Sequence, residues 1–315
     1  MPESFKLAFD SRSFFLRSVK QLLIIVAAGL FIKFFIIDIL RVNGAQMAPS
    51  ILDGDRVLVF RTPYLPLVRS LFKTALNKPV IFSLPYQSRK SGCLRIAGHS
   101  GDTVTVDAGM FVNSNHPSVP FPGKKDSTEP VPPNYSPRDY YQPLRIPARG
   151  DTLFLDTLSI RNFFTAVSIV RQENDPALVD LKTSLIIDDS LSNDYFISDF
   201  SLYKGTVDSV PDNLKFDWFF WSRLEEFLRN TLEDRSFSLQ FSLILDGKTT
   251  DIYKVKSSYV FLLADNWNSG LDSRYFGPVR ENSISGRVFM VLWSYGKDMA
   301  ERASFRTRRF GRIIL

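Results

Sequence analysis

One cysteine and two histidines in 315 residues remove several chemistries at the outset. With Cys93 alone there is no internal disulfide and no cysteine-based metal cluster. His99 and His116 leave a thin supply for histidine catalysis. No phosphate-binding glycine loop, zinc-ligand spacing or nucleotide fingerprint occurs, so neither a metal nor a cofactor is expected. Neither charge sign dominates: 39 basic residues face 33 acidic ones, a net +6. The excess is local, because the tail holds Arg302, Arg306, Arg308, Arg309 and Arg312. Such a tail has the charge to touch anionic headgroups or RNA, but a chain end is ordinarily solvated and frayed. The frayed reading is preferred, and no nucleic-acid partner is expected. Long apolar runs are also scarce. At 44% hydrophobic and 23% charged, the chain can bury a real core and is too polar to cross a membrane many times.

One long apolar run is present, Leu22 to Leu40, broken by Lys33 and Asp38. As a helix it covers about 28 Å, close to the hydrocarbon thickness. Lys33 and Asp38 lie in its second half, where their polar ends reach an interface by snorkelling or meet a partner. Arg12, Arg17 and Lys20 precede it, which favours a cytoplasmic N-terminus and an exported body, with the loop around Thr128 on the far side. The run exceeds a usual signal-peptide core and no small-x-small cleavage site follows closely, so an uncleaved anchor is expected. A soluble helix apolar on every face would need a large core around it.

Beyond the anchor the pattern turns to short β-rich runs, Arg56–Phe60, Val80–Phe82, Thr103–Val106 and Thr152–Leu155. A proline-rich loop fills much of Asn113–Arg149. Helical signals run from about Leu158 to Asp234 and are clearest over Asn213–Glu233, where Trp218, Phe219, Trp221, Leu224, Phe227 and Leu228 group near one face. That face suits core packing first and a membrane interface second. Strands return at Phe237–Leu245, Ile252–Val255 and Tyr259–Leu263. The expected organisation is a cytoplasmic N-terminus (1–21), an anchor (22–40), a β body in two parts (41–157 and 235–296), a partly helical insert (158–234) and a basic tail (297–315).

Three ordered segments then carry a resemblance. Gly44-Ala-Gln-Met-Ala-Pro-Ser-Ile-Leu-Asp-Gly-Asp55 resembles, without a gap, the nucleophile segment of bacterial type I signal peptidases, Gly-x-Ser-Met-x-Pro-Thr-Leu-x-x-Gly-Asp. Arg95-Ile-Ala-Gly98 with Gly101-Asp-Thr-Val104 is similar to the segment of the general-base lysine, and Ala264–Gly277 to Gly-Asp-Asn-x5-Asp-Ser-Arg-Tyr-x-Gly. The resemblance implies an extended, curved β-sheet, so the expected fold is a mainly β, curved-sheet body with an N-terminal transmembrane helix and an inserted helical segment. It also implies a site beside the membrane, and chain length agrees. Six residues separate Leu40 from Gln46, at most about 20 Å of extended chain.

In that family a serine attacks the peptide carbonyl after passing its proton to a lysine kept neutral by burial. Here Gln46 stands at the serine position and Leu94 at the lysine position, and neither can do this chemistry. Ala264 replaces a family glycine, Gly270 a serine, and Asn77-Lys78 a Gly-Asp. Asp272, Ser273 and Arg274 remain. The resemblance gives Ser273 the role of orienting the lysine. Without that lysine, a structural hydrogen-bonding role beside the Asp272 and Arg274 pair is expected. Ser50, Lys90 and His99 are the candidates for relocated groups, and Cys93 should face away from Leu94 on its strand.

The leading expectation is an inactive member of the export system, set in the inner membrane, that binds signal peptides or exported polypeptides along a strand edge. Met47, Phe82 and Cys93 are the pocket residues the resemblance implies. The alternatives are an active peptidase with relocated groups and a structural membrane subunit.

Overall fold

The computed structural model describes residues 3–61, 75–85, 87–118, 121, 129–133, 136–268, 270–297 and 303–314. Thr128 and Arg302 lie outside the described residues. The fold is mainly β and divides into two compact units. One comprises Met1–Val42, Gly54–Lys73 and Gly286–Leu315, the other Asn43–Asp53 and Thr74–Ser285.

The first unit begins with the helix Glu3–Phe35, whose stretch Phe15–Lys33 is long and apolar enough to cross a bilayer. The expected span, Leu22 to Leu40, is therefore displaced toward the N-terminus. The helix stops at Phe35, and Ile37–Arg41 is a strand. Ile36, Ile37 and Ile39 are β-branched and favour extended backbone. The strand Asp55–Arg61 supplies the partner, with Ile37 opposite Phe60 and Arg41 opposite Arg56. Asp38 accepts from Arg61 Nη2 at 2.6 Å instead of reaching for an interface. Arg17 and Lys20 consequently fall within the first two turns of the apolar stretch, where long cationic side chains snorkel outward.

Asp55–Arg61 also pairs with the strand Ile284–Lys297, from Gly286 opposite Arg61 to Ser294 opposite Asp55. Glycine is needed at 286, since a Cβ there would lie 2.6 Å from the Phe60 carbonyl oxygen. The described end of the basic tail, 303–314, is not frayed. Ala303–Phe305 and Arg312–Ile313 both pair with the same long strand. Arg309 donates Nε and Nη2 to the two carboxylate oxygens of buried Asp55, at 3.0 and 2.5 Å. A carboxylate withdrawn from water in a strand needs a charged, hydrogen-bonding partner, and the tail brings it.

The second unit is built on an antiparallel ladder in which Pro79–Leu84, Gln87–His99, Tyr259–Leu263 and Val279–Arg280 pair in that order. Met110–Asn113, Thr103–Asp107 and Tyr141–Arg145 form a three-stranded sheet, and Thr152–Phe154 pairs with Ile252–Lys254.

The segment read as helical from Leu158 to Asp234 is mixed. Helices Ile160–Glu173 and Trp218–Thr231 pack together, but between them Val179–Ile187 is a strand. It pairs over its whole length with Phe237–Leu245, Val179 opposite Leu245 and Ile187 opposite Phe237. Phe237–Leu245 thus belongs to the sheet of the insert. The alternation was there to be read, for Val179, Leu181, Thr183, Leu185 and Ile187 are all buried at period two. Asn213–Glu233 is likewise two helices, Asp212–Lys215 and Trp218–Thr231, because the Asp217 carboxylate accepts the Phe219 N–H at 2.9 Å and starts the second. Trp221, Leu224 and Leu228 are fully buried in the core of this unit, so that face is packing and not a bilayer surface. Trp218 is only partly buried and donates Nε1 to the Tyr275 carbonyl at 3.2 Å.

Candidate functional site

The nucleophile-like segment is a tight loop of the second unit. Gly44 takes a φ of +91°, open to glycine without strain, and its N–H bonds the Asp53 carboxylate at 2.8 Å. Met47 and Ile51 are buried and joined by one helical turn, Ile51 N–H to Met47 carbonyl at 2.8 Å. This anchors the loop and leaves Gln46, immediately before Met47, half-buried. Asn266 clamps it from the other side. Its N–H donates to the Gln46 carbonyl at 2.9 Å and its Nδ2 to the Ala45 carbonyl at 3.1 Å.

Leu94 is buried opposite Val80. Phe82 lies opposite Gly92, where a Cβ would fall 2.8 Å from the ring, so the glycine makes room for it. Directly opposed residues of an antiparallel pair share a face. Leu94, Val80 and Phe82 therefore share one, while Cys93 and Ile81 lie on the other, with Arg95. The three candidate pocket residues, Met47, Phe82 and Cys93, are all buried, but Phe82 and Cys93 are on opposite faces of the ladder. Burial pushes the Cys93 thiol up to about 12, the Asp265 carboxylate adding to the rise and the Arg95 guanidinium opposing it. At neutral pH it is a thiol and not a nucleophile.

Arg95 organises that second face. It is fully buried and makes a two-armed pair with Asp265, Nε to Oδ1 at 2.8 Å and Nη2 to Oδ2 at 2.6 Å. It also donates to the Asn77 carbonyl at 2.5 Å and to Ser50 Oγ at 3.4 Å. Ser50 thus meets a permanently charged guanidinium, which accepts no proton. Lys90 is exposed and four residues before Leu94, about 13 Å along the strand. His99 is held through its backbone N–H by Asp102 at 2.9 Å. The sequence reading gave no role to Arg95, Asp265 or Asn266. An arginine inside the apolar run Cys93-Leu-Arg-Ile-Ala97 was the available signal, because a cation in a buried strand requires a partner.

The last segment closes the site. Ser273 is buried and its Oγ accepts the Leu262 N–H at 3.0 Å. Asp272 accepts Arg274 Nε and Nη2 at 2.9 and 2.7 Å, and the Ala264 N–H at 3.0 Å. Arg274 also donates to the Arg138 carbonyl at 2.7 Å and lies 4.0 Å over the ring of Trp267. The Trp267 indole N–H donates to Asp139 at 3.0 Å. All these polar groups are satisfied within the frame, which fixes the turn between Asp265 and Asp272. A Cβ added to Gly270 would fall 2.1 Å from the Ala264 Cβ and 2.9 Å from the Asn266 carbonyl oxygen. The methyl at 264 and the bare glycine at 270 are therefore complementary.

The sequence profile of the family described as signal peptidase, peptidase S26, matches residues 15–155 and 222–293, more than half of the chain. Signal peptidase I of Buchnera aphidicola is 20% identical over 312 residues, covering 96% of this chain and 83% of that protein. Mitochondrial inner membrane protease subunit 1 is 32% identical over 80 residues in both mouse and human, covering 24% of this chain and 48% of that subunit's length.

Proposed function

Because the chain belongs to the signal peptidase family, peptidase S26, we propose that it is a non-cleaving member that holds exported polypeptides at the membrane. The observation that carries this reading is the buried Leu94 at the base position. It faces away from Arg95, whose guanidinium donates to Ser50, the hydroxyl residue of the Gln46 loop, at 3.4 Å. A peptidase of this kind needs a nucleophile and a base within about 3 Å, and neither Gln46 nor Leu94 supplies one. The frame around them, Arg95 with Asp265 and Asp272 with Arg274, is intact, and a preserved frame without its reactive pair suits holding a chain over cutting it. The names of the relatives, signal peptidase I and an inner membrane protease subunit, support the inner membrane as its place.

Purified full-length protein is expected to leave an Ala-x-Ala preprotein uncut and to crosslink a photoreactive signal peptide, with unlabelled peptide competing. Processing that disappears in Ser50→Ala, Lys90→Ala or His99→Ala would replace this reading with an active peptidase of relocated groups. Failure to crosslink would leave a structural subunit.

The same reading sets the N-terminus in the cytoplasm and the body outside, supported by Arg12, Arg17 and Lys20 at the start of the apolar helix. Leu191 is 69% exposed in the second unit, and buried Cys93, with its thiol at about 12, contributes no background. A Leu191→Cys variant should therefore react with a membrane-impermeant maleimide in intact spheroplasts. Reaction only after lysis would invert the orientation.

A further inference from the structure

The second unit contains a cavity of about 540 Å³, within the range of sites that enclose a ligand. Phe164 and Val167 line it from one helix of the insert, Phe216 and Phe219 from the other side, and Tyr275 and Phe276 from the end of the last family segment. Arg171, the one cation among the described residues of the wall, stacks 3.8 Å over the Phe216 ring. Asp212 and Asp217 also line the cavity and are exposed. Two carboxylates against one guanidinium leave it net acidic, and its rings add the negative faces that attract cations.

We propose that this cavity receives a polypeptide segment carrying a large apolar side chain next to a lysine or arginine. The apolar side chain fills the aromatic volume, and the basic one meets Asp212 and Asp217. A polypeptide is favoured over a free cation by position. Tyr275 and Phe276 stand in the same short helix, Ser273–Phe276, as Ser273, and the Phe276 ring centroid is 6.3 Å from that of Phe82. Phe276 thus packs on fully buried Phe82, which sets the cavity beside the last family segment. The inference rests on the polypeptide-holding reading and adds what the held chain must contain.

Leu271 lines the cavity and is 60% exposed, so Leu271→Cys in the full-length protein gives a thiol whose alkylation reports occupancy. Two short photoreactive peptides serve as probes, an Ala-x-Ala motif followed by Phe-Lys or by Phe-Gln. The Phe-Lys peptide is expected to protect the thiol at about threefold to fivefold lower concentration, the scale of contacts to exposed carboxylates. Adding Asp212→Asn and Asp217→Asn should abolish that difference, and asparagine at 217 keeps the helix cap. Equal protection by both peptides, or a difference that survives the two asparagines, overturns the inference. If both peptides crosslink to the chain yet neither protects the thiol, the cavity inference falls while the polypeptide-holding reading stands. If neither crosslinks, both fall.

Discussion

Changing Arg309 to methionine is expected to cost about 3–5 kcal/mol, the loss typical of removing one partner from a buried ion pair. Asp55 is fully buried and Arg309 is 7% exposed, and the two share two hydrogen bonds. Without the guanidinium the carboxylate stays inside the unit uncompensated, and desolvation of that charge dominates the loss. Asp55→Asn in the same chain should recover part of the stability, because the remaining group is then neutral. Trp293 is the tryptophan of that unit, whereas Trp218, Trp221 and Trp267 lie in the other. Urea unfolding of the full-length variants in detergent micelles, with collisional quenching of tryptophan fluorescence to follow exposure, measures the loss. A loss below about 1 kcal/mol, the scale of a surface pair, would mean that Asp55 is reached by water.

That pair also shows where sequence reading ends. Five arginines in a tail look alike as letters, and a chain end is ordinarily solvated. What singles out Arg309 is the burial of Asp55, a residue more than two hundred positions earlier. The helix ends before the apolar run does for a related reason. Ile36 to Leu40 is as apolar as the helix before it, and composition does not separate a fifth helical turn from an edge that finds a strand partner at Asp55–Arg61. In the insert the period-two pattern of Val179–Ile187 was visible, but flanking helices of similar hydrophobicity masked it. The candidate site was more legible, because its segments are contiguous motifs whose residues keep their spacing. Even there, the mutual roles of Arg95, Asp265 and Asn266 depend on a fold that brings residues 46, 95 and 266 together.

The two departures at positions 264 and 270 set the largest expected effect. Restoring Gln46→Ser with Leu94→Lys supplies a nucleophile and a base, and losing such a pair typically removes about 10⁶-fold of turnover. Either single reversion should do almost nothing, since the two groups act as a unit. The double reversion should still fall well short of full activity. A lysine at 94 would be buried, as its neutral form requires, but it must also reach the serine oxygen within about 3 Å. The family pattern has glycine where this chain has Ala264 and serine where it has Gly270. Gly270→Ser alone would drive a side chain into the Ala264 methyl, 2.1 Å away, and should destabilise the protein by about 1–3 kcal/mol through overpacking. Ala264→Gly alone leaves the space empty. Only the two together rebuild the turn between Asp265 and Asp272 as the family has it, so the fourfold variant should cleave an Ala-x-Ala preprotein faster than the double reversion or either triple. Initial cleavage rates of the full-length variants in detergent decide this, with thermal melting as the control for folding. Equal rates in the double and fourfold variants would show that 264 and 270 are a packing matter without bearing on the reactive pair.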